Sequence, residues 1–383
     1  MEAYLIFSDA KANHNKYYRM IDNGNGTFDA VWGRVGNEGQ RKSYRMAEWS
    51  KKYAEKIAKG YKDISNLKAD KSKAFVGEGA DIINELISYS KKFLQNNYSN
   101  LEQVSQTQIN EVYHLINYGL SVHAISEDIT RFNDTLIEIF NTLPRVMRDV
   151  SANLAPSNAT QDTLQKIINR ETKLLNNMKS LAATQDIKTD KVEDLGLIIK
   201  PATDEERDAV IKHCNYSLQS KVKRVWSVVN TRTQDKFDKY VKDNNITNLK
   251  LLWHGSGNEN WFSILENGLL IRPAGVKYTG SMFGDGLYFA TDAGKSFNYT
   301  SYQGSYWRGG TSNKAFMAIY NTALGNPKDV YNHNTSYYSL NQQKLKKAGY
   351  NSLYAHKGSA LLRDEIVFYT PEAVTVKYFV EFE

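Results

Sequence analysis

Cysteine is nearly missing from this chain of 383 residues: Cys214 is the only one, which excludes an internal disulfide and any cysteine-rich zinc finger. Long apolar runs are missing too. No stretch approaches the roughly 18 apolar residues needed to cross a bilayer, and the opening MEAYLIFSDAK has neither a basic start nor an apolar core, so a soluble intracellular protein without membrane association is expected. Two nucleotide-binding patterns are incomplete. AGKS at 293–296 resembles the end of a phosphate loop, but Phe289 stands where that motif needs a glycine, and GDG at 284–286 lacks the third glycine of a dinucleotide fingerprint. His114 and His123 are nine residues apart in a helical stretch, a poor spacing for joint metal binding, and no metal site is expected.

What is present is an ordinary globular composition, 41% hydrophobic and 24% charged, with a length that predicts two or three domains. The net charge of +7 is concentrated. Residues 1–73 hold 15 Lys and Arg against 9 Asp and Glu, a balance of +6, which leaves +1 for the remaining 310 residues. A small basic module of this kind suits phosphate contacts.

Residues 4–8, 15–20 and 27–35 are short, aromatic or β-branched, and the last two are separated by DNGNG, a pattern that predicts a compact antiparallel sheet. A helix is expected over about 46–61, then a linker over 69–79. From 80 to about 185 the pattern becomes helical. SQTQINEVYHLI carries a capping box, Ser105 to Gln108, and Pro144 stops a helix. Residues 193–383 return to strands, among them 222–229, 315–324, 364–369 and 374–382, which predicts a mainly antiparallel α+β domain. The expected fold class is therefore α+β and multidomain, with a β-rich module, an all-α bundle and an antiparallel sheet.

LLWHGSGN at 251–258 sets an imidazole on the end of an apolar strand and follows it with almost no side-chain bulk. Glycine there allows a sharp turn or the close approach of a ligand. His254 would then face a cleft.

Two resemblances follow from these residues. WGRVGNEGQ, with NKYY at 15–18, resembles the signature of the WGR domain over about the first 68 residues; the resemblance implies binding to DNA ends or nicks, with Trp32 on the terminal sugar or base and Arg34 and Asn15 on the backbone. LLWHGS at 251–256, TGSMFGDGLYFATDAGKSFNY at 279–299 and RDEIVFY at 363–369 resemble, in order, the three signature blocks of the poly(ADP-ribose) polymerase catalytic domain. They contain its His-Tyr-Glu set as His254, Tyr288 and Glu365. The helical stretch resembles that family's regulatory domain, so the implied layout is a DNA-binding module at 1–68, an autoinhibitory helical domain at 80–185 and a transferase at 193–383.

The second resemblance implies NAD+ as substrate, without a metal. His254 would donate to the adenosine ribose, and the backbone of Gly255, beside Ser256, would hold the nicotinamide carboxamide. Tyr288 and Tyr299 would stack on the two faces of the nicotinamide ring, Ser296 would bond the carboxamide, and Ala290 and Lys295 would line the site. Glu365 would stabilise the positive charge that develops on the ribose as its bond to nicotinamide breaks, and would orient an acceptor hydroxyl. The implied function is transfer of ADP-ribose, stimulated by DNA breaks, to protein side chains including the chain's own, by a monomer located with DNA in a nucleus or a nucleoid. The loop RPAGVKYTG at 272–280 is short and the segment between Ala323 and Arg363 is unusually polar. Transfer of single ADP-ribose units is thus one alternative, and a DNA-end binder with an inactive transferase fold is another.

Overall fold

The computed structural model describes all residues except 66–73, 99–103, 185–189, 272–281 and 359–360. The chain divides into two compact units, one made of 1–72 with 92–185 and the other of 73–91 with 186–383. Among the described residues no helix is long and apolar enough to cross a membrane.

The first unit begins with a meander of β1 (Glu2–Asp9), β2 (His14–Asp22), β3 (Thr27–Arg34) and β4 (Gln40–Arg45), followed by helix α1 (Trp49–Ala58) and a short β5 (Lys62–Asp63). The sheet order is β4-β3-β2-β1-β5. Alternate residues of β1 serve two cores: Ala3 and Leu5 pack with Tyr18, Met20 and Phe28 on the α1 side, and Tyr4 and Ile6 pack with Val35 and Ile64 on the other. That is the period of two expected of a strand covered on both faces. β4, QRKSYR, escapes a sequence reading because all its residues except Tyr44 are exposed. It is an edge strand with no apolar alternation to detect.

The helical elements are α2 (Ala80–Gln95), α3 (Gln106–His114), α4 (Ser121–Ile125), α5 (Ile129–Thr142) and α6 (Gln161–Ala183). The expected capping box is present, with Ser105 Oγ accepting from Gln108 N at 3.3 Å and Gln108 Oε1 accepting from Ser105 N at 3.1 Å. Helix α5 ends at Thr142, and Leu143 is extended before Pro144, as proline requires of its predecessor. A wider turn over Leu115–Leu120 joins α3 to α4 without a break, and Ser121 Oγ donates to the Ile116 carbonyl at 3.1 Å within it.

Glu171 of α6 forms an ion pair with Arg145, their side chains 1% and 4% exposed. Arg170 Nε also donates to Glu171 at 2.9 Å. Removing one partner of a buried pair leaves the other charge uncompensated, so Glu171→Ala is expected to destabilise the first unit by about 3–5 kcal/mol. A lowered unfolding midpoint in denaturant, with unchanged m-value, is the measurement that checks it.

The second unit contains strands β6 (Leu197–Pro201), β7 (Val222–Asn230), β8 (Leu249–Gly255), β9 (Leu287–Phe289), β10 (Ala315–Ala323), β11 (Pro327–Val330), β12 (Ser352–Ala355), β13 (Glu365–Phe368) and β14 (Val374–Phe382). Its helices are α7 (Asp204–His213), α8 (Tyr216–Gln219), α9 (Thr231–Asp243), α10 (Trp261–Asn267), α11 (Ala293–Phe297) and α12 (Gln342–Lys347). One sheet has the order β6-β7-β14-β10-β8 and the other β11-β12-β13-β9. The pairs are antiparallel except β11 with β12. β10 and β14 are buried almost throughout, which accounts for their near-continuous apolar runs, and Phe316 stacks on Phe379 at 5.2 Å.

The segment expected as a linker is partly structured. Its residues 69–73 lie outside the described ones, but Phe75 is buried and exchanges two hydrogen bonds with Asn84, at 2.9 and 2.8 Å. The helical stretch is also shared between units, since residues 80–91 of α2 group with the second unit. Arg224 of β7 reaches Asp81 at 3.1 Å and Glu85 at 3.0 Å, and Lys314 reaches Glu85 at 3.0 Å. Both cations also contact Glu381 of β14, at 2.5 and 3.3 Å, a carboxylate only 1% exposed. Burial raises the Glu381 pKa against the pull of Arg224 and Lys314.

Candidate active site

Two strand ends are brought together by one short bridge. Trp253 N donates to Ala290 O at 2.9 Å and Ala290 N to Trp253 O at 3.0 Å, which links the end of β8 to the residue after β9. β9 in turn pairs with β13, with Tyr288 opposite Val367. Residues directly opposite share a face and side chains alternate along a strand, so Glu365, two residues before Val367, lies on the same face as Tyr288. His254 follows Trp253 directly. The register therefore sets Tyr288 and Glu365 on one face, and the bridge brings His254 alongside the Tyr288 backbone.

His254 is enclosed by aromatic rings, with centroids 5.5 Å from Phe289 and 6.1 Å from both Trp261 and Tyr320. Its Nδ1 lies 3.0 Å from the Tyr288 carbonyl. A carbonyl only accepts, so Nδ1 carries the proton. Burial lowers the pKa, against the Tyr288 hydrogen bond that raises it, and this favours the neutral ring. Nε2 is then an acceptor. With Nδ1 committed to the Tyr288 carbonyl, Nε2 is the ring nitrogen left for a ribose hydroxyl.

Glu365 is paired with Lys295, Nζ to Oε1 3.1 Å, and both side chains are 13% exposed. Lys295 Nζ also donates to the carbonyls of Arg363 at 3.2 Å and Asp364 at 3.4 Å. Burial raises the Glu365 pKa and Lys295 opposes it. Tyr299 is affected by the same carboxylate: burial, then the Glu365 charge, push its phenol up to about 12, so it stays protonated.

Tyr288 is pinned at its hydroxyl, which donates to Gly284 O at 2.7 Å and accepts from Phe283 N at 3.2 Å. The ring is a fixed wall. Tyr299 lies one turn beyond Ser296, its N–H donating to the Ser296 carbonyl at 3.1 Å, and 42% of it is exposed.

Glycine at position 255 has a reason within the protein itself. A Cβ there would come within 1.9 Å of the Ser296 carbonyl oxygen, so helix α11 can lie against β8 only if residue 255 has no side chain. Ser296 Oγ donates to Trp253 O at 3.0 Å. Its one proton is committed, which leaves its lone pairs to accept from a carboxamide N–H. Ser256 Oγ accepts from Asn260 Nδ2 at 3.0 Å. Ala290 is corrected as a ligand contact, because it is 2% exposed and its N–H and carbonyl are both committed to Trp253. The segment 272–280 falls outside the described residues.

Asp292 was not singled out in the sequence. It caps α11 by accepting from Lys295 N at 3.0 Å, accepts from Asn215 Nδ2 at 2.9 Å, and pairs with Arg363. It thus ties the block bearing Lys295 and Ser296 to the block bearing Glu365. An aspartate before a short helix is a capping signal, and it was available in TDAGKS.

In the first unit the expected DNA contacts are engaged elsewhere. Asn15 is fully buried, with Nδ2 donating to the Arg145 carbonyl at 2.8 Å, which corrects its assignment as a backbone contact. Arg34 donates to the carbonyls of Met147 at 2.9 Å, Arg148 at 2.7 Å and Asn13 at 3.0 Å, and to Asn13 Oδ1 at 3.1 Å. Four of its five N–H donors are used within the protein. Trp32 stacks on Tyr18, centroids 6.1 Å apart, and packs against the sheet core while remaining partly exposed. Arg41, Lys42 and Arg45 on the neighbouring strand β4 are exposed, with Gln40 directly opposite Trp32.

The sequence matches known protein families. The family described as poly(ADP-ribose) polymerase catalytic domain matches residues 204–383, and the WGR domain matches 1–68. The poly [ADP-ribose] polymerase-like protein 100L of Invertebrate iridescent virus 6 is 30% identical over 161 residues, 41% of this chain and 83% of that protein. Poly [ADP-ribose] polymerase 1 of Oryza sativa subsp. japonica is 27% identical over 355 residues, 77% of this chain but 36% of that one. Human poly [ADP-ribose] polymerase 2 is 36% identical over 102 residues, 27% of this chain and 16% of that protein. With the catalytic-domain match spanning His254, Tyr288 and Glu365, and the viral relative matched over 83% of its length, the chain belongs to the poly(ADP-ribose) polymerase family and is an NAD+ ADP-ribosyltransferase.

Proposed function

We propose that this chain transfers ADP-ribose from NAD+ to protein side chains, its own included, in response to broken DNA. The observation that carries the catalytic part is Glu365, a partly buried carboxylate held by Lys295 on the face it shares with Tyr288. Tyr288 and Tyr299 take the two faces of the nicotinamide ring, where planar aromatic walls bind at low entropic cost. Ser296 accepts from the carboxamide and His254 Nε2 accepts from a ribose hydroxyl. NAD+ supplies the bond that breaks, between nicotinamide and ribose, and nicotinamide leaves with the bonding electrons. Glu365 then faces the sugar where positive charge develops, and it orients the acceptor hydroxyl and takes its proton as that oxygen closes the new bond.

The DNA part rests on the WGR match and on the +6 balance of residues 1–73. With Asn15 buried and Arg34 bonded internally, the exposed Gln40 and Lys42 of β4, on the face that carries Trp32, and the outer face of Trp32 are the groups best disposed to meet a DNA end. Incubation with labelled NAD+, with and without a nicked duplex, tests both parts. Labelled protein that increases with nicked DNA is the expected result. Labelling that DNA does not alter would sink the activation, and no labelling would sink the catalytic reading.

A further inference from the structure

Trp307 is 64% exposed, in the segment between α11 and β10. It is not isolated: with Tyr306 and Tyr299, also exposed, it forms one contiguous aromatic patch, which marks a surface with a role. The segment holds it firmly. Trp307 N donates to Asn298 O at 3.1 Å and Tyr306 N to Asn298 Oδ1 at 3.3 Å. Ser305 Oγ donates to Thr300 O and accepts from Gly310 N, both at 2.9 Å. Arg308 pairs with Glu259, its guanidinium lying where a Cβ on Gly257 would come within 2.3 Å. The indole is thereby set on the ring of Tyr299, centroids 6.3 Å apart and planes 19° apart, while Tyr306 stands edge-on to it at 4.7 Å.

We propose that Trp307 is a positioning residue for the donor: by stacking on one face of Tyr299 it fixes the plane of that ring, so that the other face is ready for nicotinamide before NAD+ arrives. The inference rests on the assignment of Tyr299 to the nicotinamide ring. A wall ordered in advance saves the entropy of ordering it on binding. That saving applies equally to bound substrate and transition state, so it acts on KM more than on kcat.

Steady-state kinetics with NAD+ on the full chain test this with Trp307→Ala, Trp307→Phe and Tyr299→Ala. An aromatic pair of ordinary strength predicts a KM raised roughly 3- to 10-fold in Trp307→Ala, with kcat within about twofold of wild type. Trp307→Phe restores most of the KM, because a phenyl ring still stacks. Nicotinamide added to the wild type quenches tryptophan emission, and part of that quench disappears in Trp307→Phe. If Tyr299→Ala raises KM and Trp307→Ala leaves it unchanged, the inference is overturned and the assignment of Tyr299 stands. If Tyr299→Ala leaves KM unchanged, the assignment itself fails and the inference with it. A Trp307→Ala protein that loses kcat at unchanged KM also overturns the proposal.

Discussion

Glu365→Gln is expected to lower the rate of ADP-ribose transfer by about 10²–10³, the usual cost of losing one electrostatic contact that acts at the transition state. The amide keeps the volume and removes the charge. Folding should not suffer. Because burial raises the Glu365 pKa, the group favours the folded state below the ordinary glutamate range, and this contribution is lost as pH rises through the raised value. At neutral pH the ionised carboxylate carries this cost, while glutamine removes the counter-charge to Lys295 but leaves the lysine its bonds to the Arg363 and Asp364 carbonyls. The two effects oppose each other, so the variant should melt close to wild type. The same shift governs activity with the opposite sense. Transfer needs the ionised form, so it declines as pH falls through the raised pKa, and Lys295→Met, which removes the opposing cation, should move that acid limb to higher pH. Product length on a gel, melting curves and pH–rate profiles check the three parts. A glutamine variant that makes wild-type product at wild-type rate would refute the role of Glu365.

Deletion of residues 92–185, closed by a flexible Gly/Ser bridge, is expected to give a transferase that no longer needs DNA. This follows if residues 80–185, which resemble an autoinhibitory domain, act as a two-state element, closed without DNA and opened by it; we propose that they do. An activation of about 100-fold requires DNA to favour the open state by about 2.7 kcal/mol. The boundary of the deletion matters. Beginning at residue 80, where the helical pattern starts, would remove Asp81 and Glu85, partners of Arg224 and Lys314, and Tyr89, which packs edge-on against Phe316 at 6.2 Å. It would also remove Ser90, which donates to the Glu259 carbonyl at 2.6 Å. Residues 80–91 therefore belong in the transferase to be assayed. Comparing NAD+ consumption by the deletion variant and the intact chain, both without DNA, decides the matter: a folded deletion variant that stays as slow as the intact chain means that the helices restrain nothing.

Local pattern in the sequence was enough for much of the architecture. The apolar runs of β7, β10, β13 and β14, the Ser105–Gln108 capping box and the stop at Pro144 are all present where composition and spacing predict them. Each depends on neighbours within a turn or a strand, so a short window contains the cause. The three blocks bearing His254, Tyr288 and Glu365 were legible in the same way, as motifs. Tertiary structure decided what those residues touch. The bridge between Trp253 and Ala290 and the pairing of Tyr288 with Val367 join strands far apart in the chain, and no local window records which strands meet. Burial is set the same way. Asn15 reads as a polar residue in a DNA-binding signature, yet the Arg145 carbonyl, 130 residues on, covers and bonds it. Gly255 reads as room for a ligand, yet it is the Ser296 carbonyl that requires it. Helix α2 reads as the start of a helical domain, but Arg224 and Lys314 bind its first turns to the transferase sheet, because a buried Glu381 and an acidic helix face share the same two cations.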